Sequence, residues 1–135
     1  MTTKKTEKRV QKFIEGMRKE RGYLPDHYMY LAQRDIDFLE AYDNLYKNAL
    51  NDGKALPAKV RELVCIGVLA FRRLDDAVVS HIKRALRLGA TKQEIMEAIE
   101  TTIIPGGTPT FGCGLAALMK VEEDEKRGSE ERESL

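Results

Sequence analysis

The sequence predicts an all-α protein with about six helices. Apolar residues recur every three or four positions through most of the chain, which is the spacing of one helix face. No segment shows the strict alternation of apolar and polar residues that is typical of a β-strand. Glycine and proline separate the helical segments, so each helix can be assigned in turn.

The N-terminal third predicts two helices joined by a short helical turn. The first helix spans 5–21 and ends at Gly22, with Pro25 shortly beyond it. Asp26 is placed to cap the short turn, and a longer helix then continues to the break at 51–53. The apolar faces of the two helices consist of Val10, Phe13, Ile14 and Met17 in the first, and Ile36, Phe38, Leu39, Tyr42, Leu45 and Leu50 in the second.

The next helix begins at Leu56-Pro57, because proline is tolerated in a first helical turn, and it ends near Arg73. Residues 63–71 are apolar around the whole helix circumference. We therefore expect this helix to be buried on nearly all sides, with Glu62 at the edge of the buried region.

The C-terminal half predicts three further helices. One begins at Asp75 and stops at Gly89, and the next starts at a capping box formed by Thr91 and Glu94. The segment 103–107 interrupts the pattern, and a last helix restarts near Pro109 and fades over 122–127. The charged segment 128–135 is predicted to be a disordered tail.

Chain length and charge limit the organisation and the partners. A chain of 135 residues can form one hydrophobic core but is too short for two substantial ones, so we predict a single helical domain over 1–127. The 23 basic and 22 acidic residues give a net charge of +1. That balance provides no electrostatic attraction to nucleic acid or to an anionic membrane, and we expect neither as a partner.

The sequence also predicts a cytoplasmic location. No stretch approaches the roughly 18 consecutive apolar residues of a transmembrane helix, and the N-terminus is charged where a signal peptide would be apolar. Cys65 and Cys113 fit a reducing compartment and do not form a disulfide framework. No cofactor and no metal site is predicted.

Glu62 and His81 are the strongest candidates for a functional site. They lie 19 positions apart on consecutive helices, a separation that can bring them together in a helical hairpin. A buried carboxylate needs a partner, and His81 is the candidate. Together the two side chains offer a proton donor and a proton acceptor that neighbouring charges can tune toward neutral pH.

Several short segments, taken in order, resemble the carboxymuconolactone decarboxylase family, which includes the alkylhydroperoxidase D-type enzymes. These segments are Arg61-Glu62-Leu63, His81 with Ala85, residues 89–95 (Gly-Ala-Thr-Lys-Gln-Glu-Ile) and residues 105–109 (Pro-Gly-Gly-Thr-Pro). The resemblance covers about residues 56–120. It implies an alkylhydroperoxidase D-like helical fold that assembles as a homo-oligomer, a trimer or hexamer, with a pocket near the subunit contacts.

The peroxidase branch of that family has a Cys-x-x-Cys pair seven and four positions before the histidine. Here Leu74 and Ala77 occupy those positions. Peroxide reduction of this type needs one thiolate to react and a second thiol to resolve the sulfenic acid, so the usual form of the chemistry is excluded. Cys65 lies one turn from Glu62 and is the alternative redox residue for a thiol-dependent peroxidase.

The decarboxylase branch lacks the cysteine pair, as this sequence does. The resemblance then implies acid–base chemistry on a small carboxylated lactone, with His81 as the proton donor and Glu62 fixing its tautomer. Arg72 or Arg73 would hold the substrate carboxylate. The segment Gly106-Gly107-Thr108 would let the backbone approach the substrate.

Each of these assignments has a structural alternative. His81 could be a hydrogen-bonded core histidine, and Arg72 and Arg73 could be cations at a helix C-terminus. The segment 105–109 is also a helix breaker. A non-catalytic ligand-binding or scaffolding protein with the same fold is therefore a third hypothesis, beside the lyase and the peroxidase.

Overall fold

The structure is a computed structural model that describes residues 3–22 and 24–135. The described residues form seven helices and no strand, which confirms the all-α prediction. The helices are α1 (Lys4–Arg21), α2 (Asp26–Arg34), α3 (Ile36–Leu50), α4 (Ala58–Phe71), α5 (Asp75–Arg87), α6 (Lys92–Thr101) and α7 (Ile103–Glu133). Met1, Thr2 and Tyr23 lie outside the described residues. Met1 and Thr2 begin the N-terminal segment that the sequence analysis predicts not to be a signal peptide.

The chain divides into two compact units, Met1–Ala49 and Leu50–Leu135. The single domain predicted over 1–127 stays a prediction. Among the described residues, none of the helices has the length and apolar character needed to cross a membrane.

The first unit contains α1, α2 and nearly all of α3. Helix α1 ends at Gly22 as predicted, and this glycine has the left-handed backbone (φ 71°) that commonly closes a helix. Helix α2 has nine residues where the sequence indicated only a short turn, which accounts for seven helices in place of about six. It is stabilised by packing, because Ala32 joins the core of this unit. That core consists of Ile14, Met17, Ala32, Ile36 and Leu39.

The second unit contains α4 to α7 around its own core. Helices α4 and α5 pack against each other and both pack against α7. The predicted boundaries between α5 and α6 are confirmed, with left-handed backbone at Gly89 and a capping box between Thr91 and Glu94. The core residues are Ile66, Ala70, Val78, Ile82, Ala85, Ala90, Ile95, Ile99, Cys113, Ala117, Leu118 and Val121.

Helix α4 differs from the prediction that it is buried on nearly all sides. Glu62, Ile66 and Ala70 are buried, but Val64, Val68 and Phe71 are more than half exposed on the opposite side. The reason is that α5, α6 and α7 cover only one side of α4 within the second unit. We call Val64, Val68 and Phe71 the α4 apolar stripe.

Helix α7 confirms one prediction and corrects another. The predicted interruption occurs at Gly107, whose backbone (φ 78°, ψ 178°) is not helical, and Pro109 lies in the first turn after it. The disordered tail predicted over 128–135 is wrong for most of its length, because the helix continues to Glu133. Glutamate and arginine favour helix, and Gly128 costs only about 1 kcal/mol in a helix already formed by the preceding turns.

Candidate active site

The structure brings Glu62 and His81 into direct contact. Glu62 lies on the buried side of α4 and has no exposed surface, whereas the His81 side chain on α5 is 19% exposed. His81 Nδ1 and Glu62 Oε1 share a hydrogen bond. The helical hairpin therefore produces the pairing that the spacing predicted, while the catalytic role of the two residues stays a prediction.

Arg84 is the second partner of Glu62, and the sequence analysis missed it. Its Nη1 donates to Glu62 Oε2 at 2.6 Å, so each carboxylate oxygen has its own partner. A signal for this contact was available: Arg84 follows His81 by three positions, so both side chains lie on the same face of α5.

The segment that precedes α4 holds Arg84 in place. Arg84 Nη2 donates to Asn51 Oδ1 at 2.9 Å, and Nη1 lies 3.4 Å from the Leu50 carbonyl oxygen. Arg61 Nη1 donates to the Asn51 carbonyl oxygen at 2.8 Å, which ties the same segment to α4. Arg84 therefore holds the Glu62 carboxylate in position, and Asn51 and Leu50 hold Arg84.

Cys65 is the third side chain at the pair. It lies one helical turn after Glu62, is half-buried, and places Sγ 3.7 Å from His81 Nδ1. A thiol, an imidazole and a carboxylate therefore meet at one point between α4 and α5. Among the described residues these three form a possible metal-ligand group, with one ligand atom each and all three atoms within 4.8 Å of one another.

The charges around His81 favour its protonated form. Burial lowers the pKa of His81, but the hydrogen bonds and charges of Cys65 and Glu62 outweigh burial and raise that pKa to about 9. At neutral pH the ring is then an imidazolium with Nδ1 directed at Glu62. A positive charge held on a partly exposed ring can donate a proton or stabilise an anion.

Cys113 has a different environment. Its Sγ lies in the core and donates to Asp75 Oδ1 at 3.2 Å. Burial, together with the Asp75 carboxylate, raises the pKa of this thiol above its ordinary value. Asp75 and His81 are six residues apart on α5, about 9 Å along the helix, so the two cysteines contact α5 at separate places.

The remaining candidates lie away from this contact. Arg72 and Arg73 are exposed at the C-terminal end of α4, where Arg73 has a left-handed backbone (φ 57°). Thr108 is exposed beside the kink of α7. Gly106 lines a groove of about 390 Å³ together with the α4 apolar stripe. The other groove residues are Gly67, Thr101, Thr102, Pro105 and Thr110.

Comparison with known proteins identifies relatives. The model of the carboxymuconolactone decarboxylase family matches residues 37–119, beginning earlier than the segment 56–120 that carried the resemblance. An uncharacterized protein of Cupriavidus necator is 34% identical over 79 residues, which are 58% of this chain and 69% of that protein. An uncharacterized protein of Methanocaldococcus jannaschii is 33% identical over 89 residues, which are 66% of this chain and 82% of that protein.

The fold also has a counterpart of known structure. A crystal structure of a candidate carboxymuconolactone decarboxylase from Burkholderia xenovorans LB400 is similar, with a TM-score of 0.74 and 25% sequence identity. The similarity covers 93% of this chain and 98% of that one.

Proposed function

Since the chain belongs to the carboxymuconolactone decarboxylase family, we propose that it decarboxylates a small carboxylated lactone or a related metabolite by acid–base chemistry. His81 is the proton donor, and Glu62 fixes the tautomer of the His81 ring. The observation that carries the proposal is the buried Glu62 carboxylate, which forms a hydrogen bond with His81 through one oxygen and with Arg84 through the other.

The arrangement suits the proton transfer that such a reaction needs. When the carbon–carbon bond to the carboxylate breaks, CO₂ leaves and the electron pair moves into the conjugated carbonyl as an enolate. The His81 imidazolium stabilises this anion and then delivers a proton to carbon, and the ring regains its proton from solvent. Glu62 engages Nδ1, which leaves Nε2 as the nitrogen for the substrate.

The substrate-binding assignments belong to the same proposal. Arg72 or Arg73 at the exposed end of α4 holds the substrate carboxylate, and the backbone at Gly106, Gly107 and Thr108 approaches the substrate. Support for them comes from the family resemblance, since Gly106 lines a groove on the apolar-stripe side of α4 rather than the Glu62–His81 contact.

The test is release of CO₂ from a panel of carboxylated lactones. We expect wild-type turnover to fall at least 100-fold in His81→Gln, because general acid catalysis contributes roughly that factor or more. Cys65→Ser is the matched variant and should retain most of the turnover. Turnover that survives His81→Gln would reject His81 as the proton donor. Turnover lost in His81→Ala while the oligomer stays intact would reject a non-catalytic role.

A second function, thiol-dependent peroxide reduction, is favoured by the contact between Cys65 Sγ and His81. The Cys65 thiolate would attack one peroxide oxygen, forming an S–O bond while the O–O bond breaks and the alcohol leaves with a proton from His81. A soluble thiol would then convert the sulfenic acid to a mixed disulfide with loss of water, and a second thiol would release the reduced protein.

Peroxide consumption with a dithiol tests the second function. It should disappear in Cys65→Ser and persist in Cys113→Ser, because Cys113 is bonded to Asp75 and is not placed to resolve Cys65. Cys65 would be excluded as the catalyst if the wild type consumed no peroxide, or if Cys65→Ser consumed peroxide as fast as the wild type does.

We also propose that the protein is a homo-oligomer, a trimer or hexamer, in which a second copy covers the α4 apolar stripe. The stripe and its neighbouring groove expose apolar side chains without a charged residue among them. Such a surface is more typical of a subunit contact than of a face in water.

A further inference from the structure

The contact between Cys65, His81 and Glu62 has the composition of a metal site. A thiolate, an imidazole nitrogen and a carboxylate oxygen are the three ligand types that zinc takes from proteins. Here they come from two adjacent helices, with Glu62 completely buried and the other two half-buried. With Cys65 bound to the ion as a thiolate, Cys65 and Glu62 would together supply two negative charges, which match a divalent cation.

The separation between sulfur and nitrogen fits a shared ion. Zinc–sulfur and zinc–nitrogen bonds of about 2.3 Å and about 2.1 Å, set at a tetrahedral angle, place the two ligand atoms about 3.6 Å apart. Cys65 Sγ and His81 Nδ1 are 3.7 Å apart. An ion between them would need only the Glu62–His81 hydrogen bond to open, since Glu62 Oε1 already faces the same point.

Arg84 supports the carboxylate from the outside. Arg84 donates a hydrogen bond to Glu62 Oε2 and leaves Oε1 for the ion. Metal-binding carboxylates commonly accept a hydrogen bond on their second oxygen in this way. Its positive charge also opposes the cation. We therefore expect micromolar affinity rather than the tighter binding of a structural zinc site.

From these contacts we propose that Cys65, His81 and Glu62 form a three-ligand site for a thiophilic divalent cation such as Zn²⁺. The fourth position is open on the partly exposed side of His81 and takes water or an anionic ligand. The imidazole binds metal through an unprotonated nitrogen, so the ion and the proton shared with Glu62 exclude each other. Zn²⁺ is then an inhibitor of the proposed acid–base chemistry.

Cobalt is the probe for this site, because thiolate-bound Co²⁺ absorbs in the near ultraviolet and tetrahedral Co²⁺ absorbs in the visible. We expect the full-length reduced protein to bind one Co²⁺ per chain with both absorptions, and Zn²⁺ to displace it. Binding is measured without substrate, so a failure of the proposed decarboxylation leaves this test unaffected.

Three variants identify the ligands. Cys65→Ser should abolish the near-ultraviolet absorption, and His81→Gln should weaken binding at least tenfold. Cys113→Ser, the matched cysteine control, should bind as the wild type does. Circular dichroism of each variant shows whether it has folded. If His81→Gln does not fold, the result for Cys65→Ser alone decides the outcome. Absence of the absorption in the wild type, or its persistence in Cys65→Ser, would overturn the proposal.

Discussion

At the scale of single residues, the buried carboxylate of Glu62 decides how the site is built. An ionised carboxylate without water is costly unless every oxygen has a partner. Glu62 has two cationic partners: His81 on one oxygen and Arg84 on the other. The histidine faces solvent in part, whereas the arginine is tied back to Asn51. Arg84 therefore holds the carboxylate in place, and His81 is the member available to a ligand.

Replacement of Arg84 should destabilise the protein. We expect Arg84→Met to lower the free energy of unfolding by roughly 3 kcal/mol, because it removes one partner of a buried charge. Urea unfolding measures this loss. Arg132→Met is the control, since Arg132 is exposed in the last turn of α7, and it should change stability by less than about 0.5 kcal/mol. Equal stability of Arg84→Met and wild type would show that Glu62 does not depend on Arg84.

His81 should titrate near pH 9 in the folded protein. Its pKa is raised from the ordinary value of 6.5 to about 9, so the protonated ring is stabilised by folding. That stabilisation is complete below pH 6.5 and is lost as the pH rises through about 9. Turnover that depends on the imidazolium should decline over the same range above neutrality.

Proton NMR measures the His81 titration directly. The chain has two histidines, so His81→Gln assigns the signal. A midpoint near 9 is expected in the wild type and a lower midpoint in Cys65→Ser, which removes one of the contacts that raise the pKa. A wild-type midpoint at or below 6.5 would contradict the charge arrangement described here.

At the scale of secondary-structure elements, a glycine of α7 determines how closely α7 approaches α6. Gly114 is buried, and a Cβ there would lie 2.7 Å from Ile99 Cγ2 on α6. Gly112, on the same helix, is exposed, and a Cβ there would meet nothing within 4 Å. Only the first of these glycines is needed for packing.

Alanine substitutions test whether Gly114 is needed for packing and Gly112 is not. Gly114→Ala should lower stability by about 1–3 kcal/mol, because α6 or α7 must shift to admit the methyl group. Gly112→Ala should leave stability unchanged or raise it by up to about 1 kcal/mol, because alanine favours helix over glycine. Thermal or urea unfolding of the two variants measures the contrast. Equal effects would mean that the two helices are not in close contact at Gly114.

At the scale of the whole molecule, the α4 apolar stripe is a feature that packing within the second unit does not explain. Three large apolar side chains more than half exposed on one helix are unusual for a free surface. A second copy packed on them would bury the stripe.

A charge on the stripe should dissociate the oligomer. We expect the wild type to sediment at three or six times the 15.3 kDa chain mass, and Val68→Asp to sediment as a smaller species, because a carboxylate in an apolar contact loses its hydration. Met119→Asp, at an exposed apolar residue outside the stripe and groove, is the control and should keep the wild-type mass. An unchanged mass for Val68→Asp would place the subunit contact elsewhere.

Much of the fold and half of the site could be predicted from local sequence. The ends of α1 and α5 follow from Gly22 and Gly89, and the start of α6 follows from the Thr91–Glu94 capping box. The pairing of Glu62 with His81 follows from their spacing on consecutive helices. These features depend on residues close in sequence or on one hairpin, so periodicity and capping chemistry are sufficient to predict them.

The sequence by itself determined the all-α class, most helix boundaries and the carboxylate–imidazole pair. Only the tertiary structure decided that Arg84, through Asn51, completes the site, and that Cys65 faces His81. It also decided that one side of α4 is left exposed. The physical reason is that these outcomes depend on which surfaces meet between segments far apart in the chain. A periodic pattern states which face of a helix is apolar, but not what covers it.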